Sequence, residues 1–318
     1  MRIFIYIFLI LTSFNKSFSQ ELFGQKNTIE ITQKWFFDHS KFKEPERKEI
    51  KIFNKKGRLI KDIEFGFHHN YNLNLVGNIY TYEYQKNKLI SEKTYKGETN
   101  FKNNSVLFYW NYIYEDSRLK KINSNHSDYI YSYYNENKTI EWIVTTDWDS
   151  ISRRYYTRYD NDNNVVEETE FNNWSKKYSR ERDSLKITEY SFNFPKKGDT
   201  TRTYIKEVHS KGKIVYRKVN GFGLNTKKYI YYDNGQLKLV FTRIFDETEK
   251  NFKTELIYFP NGIIKHIRKY ELEKEKWVLK QKNDFELNGN PSILNKREKY
   301  EVNDILINGN KNWLQQWL

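Results

Sequence analysis

"YYDNGQLKLV" (residues 231–240) sets two tyrosines before a turn at Asp233-Asn234-Gly235 and leaves along alternating leucines. Asn-Gly between alternating apolar runs is a hairpin signal, because a type I′ turn needs positive φ at both central residues. In the outgoing half Leu237, Leu239 and Phe241 share one face and Lys238, Val240 and Thr242 the other, a period of two and not 3.6. This grammar returns along the chain. Asn234-Gly235, Asn261-Gly262 and Asn288-Gly289 stand twenty-seven residues apart, and Asn308-Gly309 follows twenty later.

In the first half the step is different. "IKIFNKKGRLI" (residues 50–60), "YTYEYQKNKLI" (80–90) and "WNYIYEDSRLK" (110–120) superimpose without a gap at a spacing of thirty. Ile50, Tyr80 and Trp110 then align, as do Gly57, Asn87 and Ser117 at the turn and Leu59, Leu89 and Leu119 after it. Less regular units at 131–144, 156–171 and 206–219 bring the tally to about nine or ten hairpins. Such a pattern predicts an all-β chain of consecutive antiparallel hairpins forming one long twisted sheet or open solenoid, with a short C-terminal helical cap. The helical signal is confined to "NWLQQWL" (312–318), where Trp313 with Trp317 and Leu314 with Leu318 stand at i,i+4 and are expected to cover the last sheet edge.

The residues "YYDNGQLK" (231–238) and "IYFPNGIIKH" (257–266) resemble the variant MORN repeat of bacterial proteins, and "YDNDNNVVEE" (159–168) is similar to the YD, or RHS-type, repeat, with Asn163 where that family usually has glycine. Either resemblance implies consecutive β-hairpins in a long sheet, sometimes curling into a shell, and carries no catalytic residue across. Variant MORN resemblance also implies, in some proteins, an immunity-like partner that neutralises a toxin.

The domain plan reads as a signal peptide at 1–19, an N-terminal segment at 20–48 and a hairpin-repeat domain at 49–318, which the change of step divides into sub-arrays at about 49–205 and 206–318. Arg2, the apolar run at 3–14 and Ser17-Phe18-Ser19 form the n-region, h-region and cleavage site of a secretory leader. No later segment is an apolar run long enough to span a membrane as a helix. Export and the absence of cysteine together point to a Gram-negative periplasm or cell surface, since small secreted scaffolds are disulfide-dense.

The chain has 55 Lys+Arg against 41 Asp+Glu, a formal charge of +14, and 18% aromatic residues. The aromatics argue for a folded chain despite a mean hydropathy of -0.92, because tyrosine buries its ring while its hydroxyl stays wet. A basic excess is compatible with an anionic partner or with a solvated background; nucleic acid is not expected for an exported chain. Six histidines include only one adjacent pair, His68-His69, which a strand would point to opposite faces, so no metal ligand is expected. Asp160, Asp162 and Asn164 begin like a calcium loop, but Val165 stands where glycine is required. Neither a P-loop nor a nucleophile elbow occurs, so no cofactor site is expected.

The most sugar-like stretch is "TTDWDS" (145–150), where Asp147 and Asp149 flank Trp148 shortly after Trp142. Paired carboxylates serve glycosidases, but residues two apart on a strand sit about 7 Å apart with nothing to split their acidities. The expected function is therefore a non-enzymatic exported protein presenting an extended aromatic and basic surface to a protein or polysaccharide partner, with Trp110, Trp142, Trp148, Asp147 and Asp149 as candidate ligand contacts. Alternatives are the immunity-like role and, more remotely, a carbohydrate-active enzyme using the two aspartates. An outer-membrane barrel is set aside because strands such as "TRTYIKEVHS" (201–210) offer no charge-free face.

Overall fold

The computed structural model describes residues 27–38, 43–65, 76–97, 106–134, 136, 138–146, 152–171, 174–181, 184–192, 200–220, 224–245 and 249–308. Twenty strands run through them: β1 (Ile29–Phe37), β2 (Arg47–Phe53), β3 (Leu59–Phe65), β4 (Val76–Gln85), β5 (Lys88–Lys96), β6 (Val106–Glu115), β7 (Arg118–Ser124), β8 (Ser127–Tyr134), β9 (Thr139–Thr146), β10 (Ser152–Tyr159), β11 (Val165–Glu170), β12 (Trp174–Glu181), β13 (Ser184–Phe192), β14 (Thr200–Ser210), β15 (Lys213–Asn220), β16 (Leu224–Tyr231), β17 (Leu237–Phe245), β18 (Glu249–Tyr258), β19 (Ile264–Glu273) and β20 (Lys276–Asn288). One helix, α1 (Lys296–Asn308), follows. Each strand pairs antiparallel with the next, and β1 also pairs with β20.

That last pairing closes the sheet into a barrel and corrects the expected open sheet or solenoid. The closing strand β1 comes from the segment ahead of the recognisable units, with Ile29 opposite Phe53 on one side and Glu30 opposite Asn288 on the other. An even number of strands brings first and last together antiparallel, and closure leaves no unpaired edge. The cap expected over an edge therefore has no edge to cover.

Side chains on the concave wall converge and shield one another, which identifies the inward face. It carries Tyr82, Tyr112, Ile122, Tyr131 and Ile140 with Ile29, Phe53, Leu59, Leu256 and Phe285, all buried in one cluster with Val302 and Leu306 of α1. Ile113 and Ile130, which alternate with these on β6 and β8, are 44% and 47% exposed. A second, smaller cluster of Ile50, Ile52, Ile63, Phe65 and Ile79 lies on the opposite face of β2 to β4.

The thirty-residue alignment slips by one in the first unit. Phe53 lies opposite Leu59, whereas Tyr84 and Tyr114 lie opposite Leu89 and Leu119. Phe53 and not Asn54 is thus the counterpart of Tyr84. Ile50 and Ile52 consequently face away from Tyr80 and Tyr82, since a one-residue shift exchanges faces. Turn length is the cause. Lys86-Asn87 and Asp116-Ser117 are two-residue turns with positive φ at both positions, whereas residues 55–57 form a three-residue loop closed by Gly57 N–H to Asn54 O at 2.9 Å.

The same three-residue loop occurs at Asn234-Gly235 and Asn261-Gly262, correcting the expected type I′ geometry, whereas Asn288-Gly289 ends β20 ahead of the helix and closes no hairpin. Gly235 and Gly262 take φ of 88° and 90°, and their N–H groups donate to Tyr232 O and Phe259 O. This is a type I turn ending in a glycine bulge. The asparagine instead accepts from the backbone, Asn234 Oδ1 from Gln236 N at 3.0 Å and Asn261 Oδ1 from Ile263 N at 2.9 Å. Asn163, at φ 61°, holds the glycine position of an equivalent loop.

Neighbouring hairpins interlock through the repeated residues. The hydroxyls of Tyr84, Tyr114, Tyr133, Tyr231 and Tyr258 donate to the carbonyls of Leu59, Leu89, Leu119, Ile214 and Leu237 at 3.1, 3.0, 2.7, 2.8 and 2.8 Å. Cations immediately after four of the preceding turns, Arg58, Lys88, Arg118 and Lys213, lie 5.2, 4.8, 5.6 and 5.0 Å from the ring centroids of the first four tyrosines. Each hydrogen bond contributes about 1 kcal/mol and each exposed cation–π contact about 0.5–1 kcal/mol. Tyr-turn-Lys/Arg-Leu is therefore a local hairpin signal that also joins one hairpin to its neighbour.

Asn295 and Glu298 start α1 with reciprocal bonds, Asn295 N to Glu298 Oε2 at 2.7 Å and Glu298 N to Asn295 Oδ1 at 3.0 Å, a capping box. Its buried residues Val302 and Leu306 stand at i,i+4 and join the inner cluster. Asn303 clasps the β18-β19 turn, accepting from Ile264 N and donating to Gly262 O, both at 2.8 Å. The helical cap is thus built from 296–308, and Asn308 ends a helix where a hairpin turn was expected; "NWLQQWL" lies outside the described residues.

Candidate binding site on the inner wall

From β1 to β9 and again from β18 to β20 the barrel supplies buried apolar side chains, but among the described residues β10 to β17 supply none. Their inward positions are polar or half-buried. Tyr178 donates to Glu168, Lys176 Nζ lies 4.8 Å from the Trp174 ring centroid, and Glu207 faces Arg217 at 3.3 Å and His209 at 3.4 Å. Burial, then Arg217 and Lys269, lower the Lys227 ammonium below its ordinary range. An aromatic stack lies where this polar wall meets the packed one. On adjacent strands, Tyr131 and Trp142 have centroids 6.3 Å apart at 23°, and Trp142 and Tyr155 lie 5.2 Å apart at 8°. All three are direct cross-strand neighbours. Tyr131 is 1% exposed, whereas Trp142 and Tyr155 remain half-buried.

Acidic side chains occupy two places on the packed wall. Glu92, between Tyr82 and Trp110 in the cross-strand register, accepts from Tyr112 Oη at 3.3 Å, and burial pushes its carboxyl up to about 7 against that bond. Lys51 Nζ bridges Glu49 Oε2 at 2.5 Å and Asp62 Oδ2 at 2.6 Å. Burial lowers the lysine, but Asp62 and Glu49 more than offset it. Burial pushes Asp62 up to about 6, with Lys51 opposing and Glu49 reinforcing the rise. Strand β4, bearing Tyr80 and Tyr82, separates Asp62 from Glu92. Lys51 holds Asp62, so these carboxylates do not face one another as an acid–base pair.

No protein-family model matches the chain, and no curated protein does. Among solved structures it is similar to a porin-like protein from Bacteroides uniformis, at 8% identity over 82% of this chain and 97% of that one, with a TM-score of 0.36. It is also similar to TcdB2-TccC3-Cdc42 and TcdB2-TccC3-TEV, at 10% and 11% identity and TM-scores of 0.31 and 0.33, covering 77% and 74% of this chain but 15% of each of those. TM-scores below 0.5 do not establish a common fold.

Of the residues singled out by sequence, Trp110 and Trp142 both face inward but stand on β6 and β9, three strand spacings or about 14 Å apart. They do not form one site. Trp148, Asp147 and Asp149 lie outside the described residues. Tyr155 and Glu92 were missed. The signal for Tyr155 was the recurrence of a ring at alternate positions of successive strands, whereas nothing local marks Glu92, whose environment comes from β4 and β6. The stretch that begins like a calcium loop holds a lysine instead: Lys138 Nζ donates to Asp160 O at 3.0 Å, Asn161 O at 3.2 Å and Asn163 Oδ1 at 3.3 Å. Asp160 Oδ1 is occupied by Asp162 N–H and Asn164 N–H. Among the described residues there is no group of three or more potential metal ligands, and no helix is long and apolar enough to cross a membrane.

Proposed function

We propose that the protein is an exported, non-enzymatic binding protein of a bacterial envelope, a closed shell of hairpin repeats of the variant MORN or YD kind, whose inner wall takes up a neutral polysaccharide chain. The observation that carries this reading is the stack of Tyr131, Trp142 and Tyr155: near-parallel rings on three adjacent strands, only half-buried at Trp142 and Tyr155, with polar side chains on the adjoining wall. Sugar rings present C–H faces to aromatic planes and hydroxyls to the polar groups beside them, the combination of apolar lining and few convergent polar groups that binding sites use. Separation of Glu92 from Asp62 supports binding without hydrolysis. Ion pairs along the outward face, Lys93 with Glu83, Lys121 with Asp128, Arg154 with Glu141 and Arg158 with Glu167, support a wall in contact with water, because charge on a lipid-facing strand is destabilising.

Calorimetric titration with neutral oligosaccharides tests the reading. Trp142→Ala and Tyr155→Ala are each expected to weaken binding tenfold or more, while Trp277→Ala, on the outer wall, leaves it unchanged. Equal affinity in all three variants, or release of shortened sugars from the ligand, would overturn it.

A further inference from the structure

Three cations converge on the inner wall across β15 to β19. Lys227 of β16 stands directly opposite Arg217 of β15 on one side and Thr242 of β17 on the other, and Thr242 stands opposite Phe252 of β18. On β19 Lys269 alternates with Ile267, which packs on the inner cluster, and carries its Nζ back over the Phe252 ring, 5.1 Å from the centroid. The two ammonium groups therefore approach the Thr242 and Phe252 pair from opposite sides. Lys227 is half-buried and Lys269 exposed on this inner face.

Like-charged neighbours also stand on the outward face, Lys34 opposite Lys48 and Arg268 opposite Lys282. Water screens those, and a carboxylate lies beside each pair, Glu286 2.5 Å from Lys34 and Asp284 3.2 Å from Lys282. Inside the barrel, Lys51 is held between Glu49 and Asp62. At Lys227 the balance is different. Glu207, the acid on this stretch of wall, is taken by Arg217 at 3.3 Å and lies 3.4 Å from His209. Neither Lys227 nor Lys269 forms an ion pair among the described residues, and Glu271, two residues along β19, reaches neither. Burial, then Arg217 and Lys269, lower the Lys227 ammonium, with no carboxylate opposing them. Asn225, the next inward position of β16, adds a buried Oδ1 that has no hydrogen-bond partner.

We propose that this part of the inner wall binds a small hydroxylated carboxylate, with the chemistry of a single uronic acid residue, its carboxylate between Lys227 and Lys269 and a hydroxyl donating to Asn225 Oδ1. An anion there supplies the charge that the half-buried ammonium lacks, and a hydroxyl satisfies an acceptor that is costly to leave unpaired. Lysine is a point charge suited to a single carboxylate, while phosphate favours the bidentate fork of arginine, and Arg217 is already engaged by Glu207. From Lys227 to Phe252 is two strand spacings, about 10 Å, room for one sugar ring and not for a polymer laid lengthwise. The site stands six strand steps from Tyr155 and does not depend on a neutral sugar binding at the aromatic stack.

Isothermal titration of the full chain with glucuronate tests this, with glucose, acetate and inorganic phosphate titrated alongside. Glucuronate is expected to bind, more weakly as salt rises, and to exceed each of the other three by about tenfold or more. Lys227→Met is expected to lose about tenfold in affinity and to melt at or above the wild-type temperature, because it removes a half-buried charge set against Arg217. Lys121→Gln on the outer wall and Trp142→Ala in the stack keep wild-type affinity for glucuronate. Absence of glucuronate binding, phosphate or acetate binding as tightly, undiminished binding by Lys227→Met, or an equal loss in either control would each overturn the proposal. Should Lys227→Met melt early, Lys269→Gln, at an exposed position, carries the same expectation of weaker binding with an intact fold.

Discussion

Glu92→Gln is expected to stabilise the protein at alkaline pH and to do little in acid. Gln is nearly isosteric and keeps an acceptor for the Tyr112 hydroxyl, which lies 3.3 Å from Glu92 Oε2, so the perturbation removes mainly the ability to ionise. Burial is the main cause of the rise in the Glu92 carboxyl from 4.5 to about 7. A carboxylate whose acidity is weakened by folding contributes stability that is fully present below its unfolded pKa and is lost as pH rises through the folded one. That rise corresponds to about 3 kcal/mol at full burial, and to about 2 kcal/mol for a group keeping partial solvent contact. Wild type and Glu92→Gln should therefore unfold within a few tenths of a kcal/mol of each other at pH 4 and diverge by about 2 kcal/mol in favour of the variant by pH 8. Urea unfolding at pH 4, 5, 6, 7 and 8, with the slope m checked for constancy, measures this. Asp62 titrates in part of the same range, but is common to both proteins, so the difference isolates Glu92. Parallel stability–pH curves would refute the account of a carboxyl desolvated by Tyr82, Trp110 and Tyr112.

Lys51→Met leaves Glu49 and Asp62 without the ammonium between them and should cost about 3–5 kcal/mol at pH 7 by equilibrium unfolding; a cost below about 1 kcal/mol would mean the pair is solvated. Tyr114→Phe removes the bond to Leu89 O and should cost about 1 kcal/mol, with a coupling to Lys88→Ala of a few tenths in a double-mutant cycle. Gly57→Ala and Gly212→Ala both place a side chain at positive φ, 70° and 72°. At Gly57, however, the new Cβ meets Glu298 O at 2.9 Å, while at Gly212 nothing lies within 4 Å. Thermal melts should therefore show the larger loss at Gly57, together with increased proteolytic nicking of α1.

Period-two patterning, turn chemistry and the recurring Tyr-turn-Lys/Arg-Leu unit are properties of contiguous residues, so strands and tight turns are legible without a structure. Loop length is not. Whether a turn closes two residues or three depends on where the bulge falls, and at the loop 55–57 that single residue decides whether Ile50 and Ile52 face the interior with Tyr80 and Tyr82 or the other side. The capping box at Asn295 and Glu298 was also legible, as Asn-x-x-Glu ahead of apolar residues at helical spacing. One of the three stacked rings, Trp142, was anticipated. Its partners Tyr131 and Tyr155 are eleven and thirteen residues away, and become neighbours only because β8, β9 and β10 pair in one register.

By itself the sequence determined that successive segments alternate, turn tightly and stack, because these follow from side-chain period, φ preferences and contacts between neighbours in the chain. Only the tertiary structure decided that the array closes. The pairing of β1 with β20 joins Glu30 to Asn288, residues at opposite ends of the array with no shared local pattern, and it is accumulated twist and strand count that bring them together. Closure in turn assigns an inside and an outside. Cross-strand register, likewise, sets Glu92 between Tyr82 and Trp110 and so raises its carboxyl by burial, a juxtaposition that no linear reading supplies.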